Sequence, residues 1–147
     1  MSNSPAFLYY SSAMVLLCIN VLALWGYSGA ARAKTKTTMN PEDVVHVARG
    51  AAIVPHDPPE VARVLRAHRN AVDNIWPFAI LGLLFVMWGG GAKATAIFCG
   101  VFVFARLGHT LAYLGEKQPW RTIFFTIASL DTLVLTAFLI KRLVEAV

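Results

Sequence analysis

Charge is scarce in this chain of 147 residues: charged side chains make up 14 % of it, against 57 % apolar ones. A soluble domain carries about 25 % charged residues, and a small domain buries only part of its surface. So much apolar area in so short a chain excludes a soluble enzyme and a disordered chain. Cysteine is limited to Cys18 and Cys99, each alone in an apolar run. That excludes a disulfide scaffold and leaves both to pack as small hydrophobes. His, Cys and acidic residues are nowhere spaced as metal ligands, so no metal is expected. Acidic residues are also fewer than basic ones, 8 against 13, for a net charge of +5. In a soluble chain that balance would suggest nucleic acid. Here the cations sit at the ends of apolar runs or just inside them, so nucleic acid is not an expected partner.

What the sequence does have is long apolar runs. Residues 6–31 and 74–92 carry no charge, residues 94–113 only Arg106, and residues 122–140 only Asp131. A bilayer core takes about 20 residues of helix. Backbone groups in lipid must bond within their own segment, and the alternation of barrel strands is absent, so the runs are read as helices. The expected fold is all-α: an integral membrane four-helix bundle, one domain over residues 1–147, with helices at about 6–31, 60–89, 93–114 and 121–142. The first run lacks the basic start of a signal peptide and is read as the first helix, despite a cleavage-like Ala31-Arg32-Ala33. A polar loop follows over residues 32–59, in which Asn40-Pro41-Glu42-Asp43 marks a turn or a helix start. Gly89-Gly90-Gly91 and residues 115–119 form short links, which make antiparallel neighbours. Arg32, Lys34, Lys36, Arg49 and Lys117 fall on the long-loop side, and Lys93, Lys141 and Arg142 on the other. Lys and Arg concentrate on the cytoplasmic side. The loop is therefore expected in the cytoplasm, in a bacterial inner membrane or the endoplasmic reticulum.

Ionisable residues inside a membrane are costly and need a reason. The second helix opens with Arg63, Arg66, His68, Arg69, Asn70 and Asp73. At about 100° per residue, all but His68 share roughly a third of the helix surface. Arg106, His109 and Tyr113 form one stripe on the third helix. The fourth opens with Arg121 and Thr122, and the first ends at Arg32. Up-and-down topology brings all these groups to one leaflet. Arginine at a helix end also simply snorkels to headgroups, but snorkelling does not require Asn70 and Asp73 on the arginine stripe. Several arginines call for more than one carboxylate or phosphate, and Asp73 offers a place for an ammonium. The ligand so outlined is a small anionic zwitterion at the membrane edge, and glutathione has that outline.

These same residues carry a family resemblance. Asn40-Pro41-Glu42-Asp43, Arg66-Ala67-His68-Arg69-Asn70 with Asp73-Asn74-Ile75 and Pro77-Phe78, then Arg106, His109-Thr110 and Ala112-Tyr113-Leu114 resemble the MAPEG superfamily. Its members are membrane-associated proteins of eicosanoid and glutathione metabolism. The likeness runs from about Arg32 to Thr126. It implies a homotrimer with glutathione bound between subunits near the cytoplasmic face. It also implies glutathione-binding positions at Arg32, Arg66, His68, Arg69, Asn70, Asp73, His109, Tyr113 and Arg121, the last beside the thiol. The family usually has Glu where this chain has Asp73, and often Asp where it has Ala71. An isomerase branch has Ser at Thr122 and Gln at Ser129.

The expected catalytic pair is Arg121, as thiolate stabiliser, with Thr122 as a weaker helper. The lipophilic electrophile would arrive from the bilayer lipids. Conjugation, hydroperoxide reduction and endoperoxide isomerisation share such a site. A non-catalytic lipid-binding member and a small transporter are the rivals outside catalysis. Tyr113 has two readings, an activating hydroxyl or a binding group. His109 reads as a structural hydrogen-bond partner and Asn20 as a helix–helix contact. Asp131 sits mid-span, either protonated or paired in the core of the trimer.

Overall fold

The computed structural model describes residues 4–146, and four long helices form most of it. α1 spans Pro5–Thr35. Ser4 caps it, its Oγ accepting from the Phe7 N–H at 3.2 Å. Pro5 stands in the first turn, where a missing N–H costs nothing. The helix runs past Ala31, its expected end, for a physical reason. Arg32 and Lys34 complement the negative end of the helix dipole. Thr35 Oγ1 donates back to the Ala31 and Arg32 carbonyls, 3.1 Å from each. Lys36 then ends the helix in the left-handed region, at φ 51°.

The loop that follows holds more order than an all-α reading expects. Thr37–Thr38 (β1) and Ala52–Ile53 (β2) pair as a short parallel ladder. Between them lies a single helical turn, α2 (Asp43–His46). The Asn-Pro-Glu-Asp turn is locked by Asp43, whose Oδ2 accepts from Thr38 Oγ1 at 3.1 Å and Asn40 Nδ2 at 3.2 Å.

α3 (Pro59–Met87), α4 (Ala92–Leu114) and α5 (Trp120–Glu145) complete the bundle. The helices alternate in direction. At one end, Arg142 Nη1 of α5 donates to the Trp88 carbonyl after α3 at 2.6 Å. At the other, Tyr27, Pro59, Leu114 and Glu116 surround one hollow. α4 packs against α1, α3 and α5. Phe78 of α3 stacks on Phe102 of α4, ring centroids 3.8 Å apart. Leu17, Ala105, Ala128 and Leu135 are buried around that stack. Small residues at the crossings let the backbones come close, which substitutes for the hydrophobic drive that lipid does not supply. Asn20 Nδ2 donates to Thr110 Oγ1 at 3.2 Å, the helix–helix hydrogen bond expected of it.

The outer surface is apolar. Leu8, Trp25, Trp76, Phe104 and Leu111 are all exposed. In water that surface would be an aggregation liability; in a bilayer it faces solvent of its own kind. All four helices are long and apolar enough to cross. Asp131 stands out within α5, with Oδ2 buried and no hydrogen-bond partner among the described residues.

Candidate active site

The end of the bundle that carries the long loop also carries the chemistry. α5 begins after Pro119, so Arg121 lies in its first turn, opposite the last turn of α4, where Tyr113 sits. The Arg121 guanidinium lies over the Tyr113 ring, 4.9 Å from its centroid. Gln118 grips the edge of the same group. With its amide turned to satisfy both neighbours, its oxygen accepts from Arg121 Nη2 at 2.7 Å and Nε at 3.2 Å, and its nitrogen donates to Thr122 Oγ1 at 3.2 Å. A guanidinium has five N–H donors in a fixed fork. Two are taken by Gln118, one face rests on Tyr113, and the remaining donors have no partner among the described residues.

Arg121 and Tyr113 line a cleft of about 260 Å³ with Arg63, Arg66 and Lys117. Arg63 pairs with Glu116, the carboxylate on the cleft wall. Arg66, Lys117 and Arg121 have no ion-pair partner among the described residues, so the cleft carries a strong positive field. Behind Tyr113 lies His109, buried, with ring centroids 5.5 Å apart. His109 also packs against Phe125, at 6.2 Å. It supports the wall rather than facing the opening.

Deeper in the bundle, Arg106 is fully buried. Its Nη2 donates to the Asn70 carbonyl at 3.1 Å and to Asn70 Oδ1 at 2.7 Å. Nε and Nη1 find no partner among the described residues. This pairing fixes the Asn70 amide and joins α4 to α3 across the membrane interior.

Of the residues expected in the site, the chain therefore brings together Arg66, Tyr113 and Arg121, with His109 behind and Thr122 beside. Asn70 is held by Arg106. Arg69 and Asp73 are exposed on α3, and His68 is half-buried there; none of the three lines the cleft. Arg32 lies elsewhere. Its Nε and Nη2 each donate to an Asp57 carboxylate oxygen at 3.2 Å, and it lines a separate cavity under the loop. Sequence reasoning missed Gln118, whose signal is slight: a polar amide just before the first turn of a span. It also gave the Arg63–Glu116 pair no role.

These features define a class: a polytopic α-helical membrane protein with an arginine-lined polar cleft at one leaflet. The chain belongs to the MAPEG family, whose sequence profile matches residues 10–141. It is similar to prostaglandin E synthase of Equus caballus, 37 % identical over 127 residues, covering 86 % of this chain and 80 % of that protein. The Homo sapiens protein of the same name is 35 % identical over the same coverage. Microsomal glutathione S-transferase 1 of Homo sapiens is 31 % identical over 142 residues, 95 % of this chain and 92 % of that one.

Proposed function

We propose that this protein is a membrane glutathione transferase, with peroxidase activity toward lipid hydroperoxides, that activates the glutathione thiol for attack on lipophilic electrophiles from the bilayer. The observation that carries this reading is the Arg121 guanidinium, fixed by Gln118 and Tyr113 above a cationic cleft at the membrane edge. The relative named for glutathione transfer, which spans nearly the whole chain, supports it. The donor set suits the ligand. Arg66 and Lys117 would hold carboxylates, and Asp73, on the same face of α3, would take the ammonium.

A free thiol of this kind has a pKa near 8.5. Lowering it by about two units requires roughly 2.7 kcal/mol of preferential thiolate stabilisation. One well-placed arginine in a partly dry site supplies that much. Thr122 adds a neutral hydrogen bond of about 0.5–1.5 kcal/mol. Tyr113 serves here as the platform under Arg121 and as a binding group.

The site is completed by other copies of the chain, in a homotrimer. A cleft of about 260 Å³ falls just short of ligand pockets, which run from about 300 to 1,000 Å³. Exposed Arg66, Arg69 and Asp73 lie on a membrane-spanning helix, where polar side chains need partners. Packing α3 against a second copy gives them partners and lets Arg32, His68, Arg69, Asn70 and Asp73 reach a ligand lodged between copies. The charge count over the loops puts this end of the bundle in the cytoplasm.

Arg121→Ala tests the assignment. It is expected to lower kcat by about 25-fold at pH 7, the fall in thiolate fraction as the thiol pKa returns from about 6.5 to about 8.5, with KM for glutathione changed only a few-fold. Equal losses in both would count against the role. A second reading, isomerisation of a prostaglandin endoperoxide, is favoured by the relatives named prostaglandin E synthase. Stoichiometry separates the two, because a transferase or peroxidase consumes glutathione and an isomerase returns it.

A further inference from the structure

Two hollows at the loop end of the bundle share one wall. The first is the Arg121 cleft of about 260 Å³. Beside it lies a second hollow of about 260 Å³, lined by Tyr27, Glu60, Val64 and Leu114. Arg63 and Glu116 line both, and they form an ion pair with each other. That pair is the wall between the hollows. On the cleft side it faces Arg66, Lys117 and Arg121, so Glu116 is the one carboxylate among the cleft's four cations.

The backbone places Glu116 there at a cost. α4 ends in a reverse turn, in which the Lys117 N–H donates to the Ala112 carbonyl at 2.9 Å and the Glu116 N–H to the Tyr113 carbonyl at 3.4 Å. That hydrogen-bond pattern needs a left-handed residue, and glycine usually supplies it. Here Gly115 stands one position early, at φ −83°, and Glu116 takes the left-handed position at φ 59°. An L side chain adopts that conformation only under strain. The ion pair does little to offset it. The Glu116 side chain is 69 % exposed, and exposed pairs contribute little to stability. A strained residue that makes a weak bond on the wall of a cleft serves function rather than stability.

We infer that Glu116 is a specificity-determining residue: it competes with a carboxylate of the ligand for Arg63, and so selects thiols that carry carboxylates over neutral ones. The inference rests on the glutathione reading and adds to it a residue and a selection rule. Glu116 holds Arg63 until a carboxylate of glutathione takes its place. The displaced side chain turns to water and the wall opens. Arg63 then joins Arg66, Lys117 and Arg121 as a cation facing the ligand. The two hollows become one space, which brings it within the range of ligand pockets, about 300–1,000 Å³. A thiol with no carboxylate to offer Arg63 meets the closed wall. Glu116 touches no reacting atom in this scheme.

The test is a double-mutant cycle on glutathione binding. The Kd is measured by calorimetry on the full chain in a neutral detergent, at fixed ionic strength. Wild type, Glu116→Gln, Arg63→Gln and the double variant are compared. With Arg63 present, Glu116→Gln is expected to tighten binding about fivefold, the upper strength of an exposed ion pair converted to affinity. With Arg63→Gln in place, the same change is expected to tighten it no more than about twofold, which is the margin of simple additivity. Equal tightening in both backgrounds would make Glu116 a diffuse negative charge and overturn the competition. Weaker binding in Glu116→Gln would make Glu116 a partner of the ammonium and overturn it as well. If wild type binds no glutathione, the catalytic reading falls and the competition with it; if wild type binds and Glu116→Gln matches it, the competition alone falls. Glu116→Gly keeps the measurement possible should Glu116→Gln fail to fold. It removes the carboxylate and relaxes the turn, so it is expected to raise the thermal midpoint and to tighten glutathione binding by the same factor.

Discussion

Arg106 is the charge this membrane protein must account for most carefully. It is fully buried between α3 and α4, and its hydrogen-bond partner in the structure is Asn70. Hydrogen bonds to a charged group contribute about 1.5–3 kcal/mol, so Asn70→Ala is expected to cost about 2 kcal/mol. In a chain of this size that lowers the unfolding midpoint by roughly 4–8 °C. Asp73→Ala removes a carboxylate from the exposed side of the same helix. Its stability effect is expected to be smaller than that of Asn70→Ala, because it has no hydrogen-bond partner within the chain among the described residues, and its loss appears instead in glutathione affinity. Thermal unfolding of both variants in detergent checks the contrast, and equal shifts would contradict it. The spacing of Arg106, His109 and Tyr113 places them on one stripe, because helical periodicity carries that information. The choice of Asn70 as partner depends on how α3 and α4 cross, and periodicity does not hold that. Arg32 shows the same limit. Its place near the end of the first helix was readable, but its fork with Asp57 is made through a loop without any repeating pattern.

At the level of elements, the α4–α5 contact positions Arg121. A Cβ at Gly108 of α4 would stand 2.7 Å from the Phe124 ring of α5, whereas one at Gly100 would meet nothing within 4 Å. Gly108→Ala is therefore expected to push α5 outward and cost about 1–3 kcal/mol, as overpacking does. Because Phe124 lies one turn from Arg121, turnover should fall with stability. Gly100→Ala should leave both unchanged, and Phe124→Leu in the Gly108→Ala background should restore part of each. Melting and turnover assays on these variants read the result, and a silent Gly108→Ala would contradict the contact. The four spans were legible because lipid demands length and apolarity, which composition reveals directly. The short ladder at Thr37–Thr38 and Ala52–Ile53 was not, because two-residue strands leave no alternation to read. The true end of α1 was hidden in the same way. It is set by Thr35 and Lys36 after the apolar signal has stopped.

For the whole molecule, the distribution of polarity points beyond one chain. The lipid face is apolar nearly throughout, yet α3 exposes Arg66, Arg69 and Asp73, and Asp131 keeps a buried oxygen unpaired among the described residues. Assembly of three copies around α3 would cover the first group. The mass of the detergent-solubilised particle, corrected for bound detergent, is expected to be that of a trimer, and a monomeric particle retaining full turnover would contradict the shared site. Thiolate forms above the thiol pKa, so a stabilised thiolate titrates at lower pH. The most direct measurement is thiolate absorbance of bound glutathione against pH in wild type and Arg121→Ala. The bound thiol is expected to titrate about two units below its free value near 8.5, and to return toward that value in Arg121→Ala. A bound thiol that titrates like the free one, or a depression that survives the loss of Arg121, would contradict it.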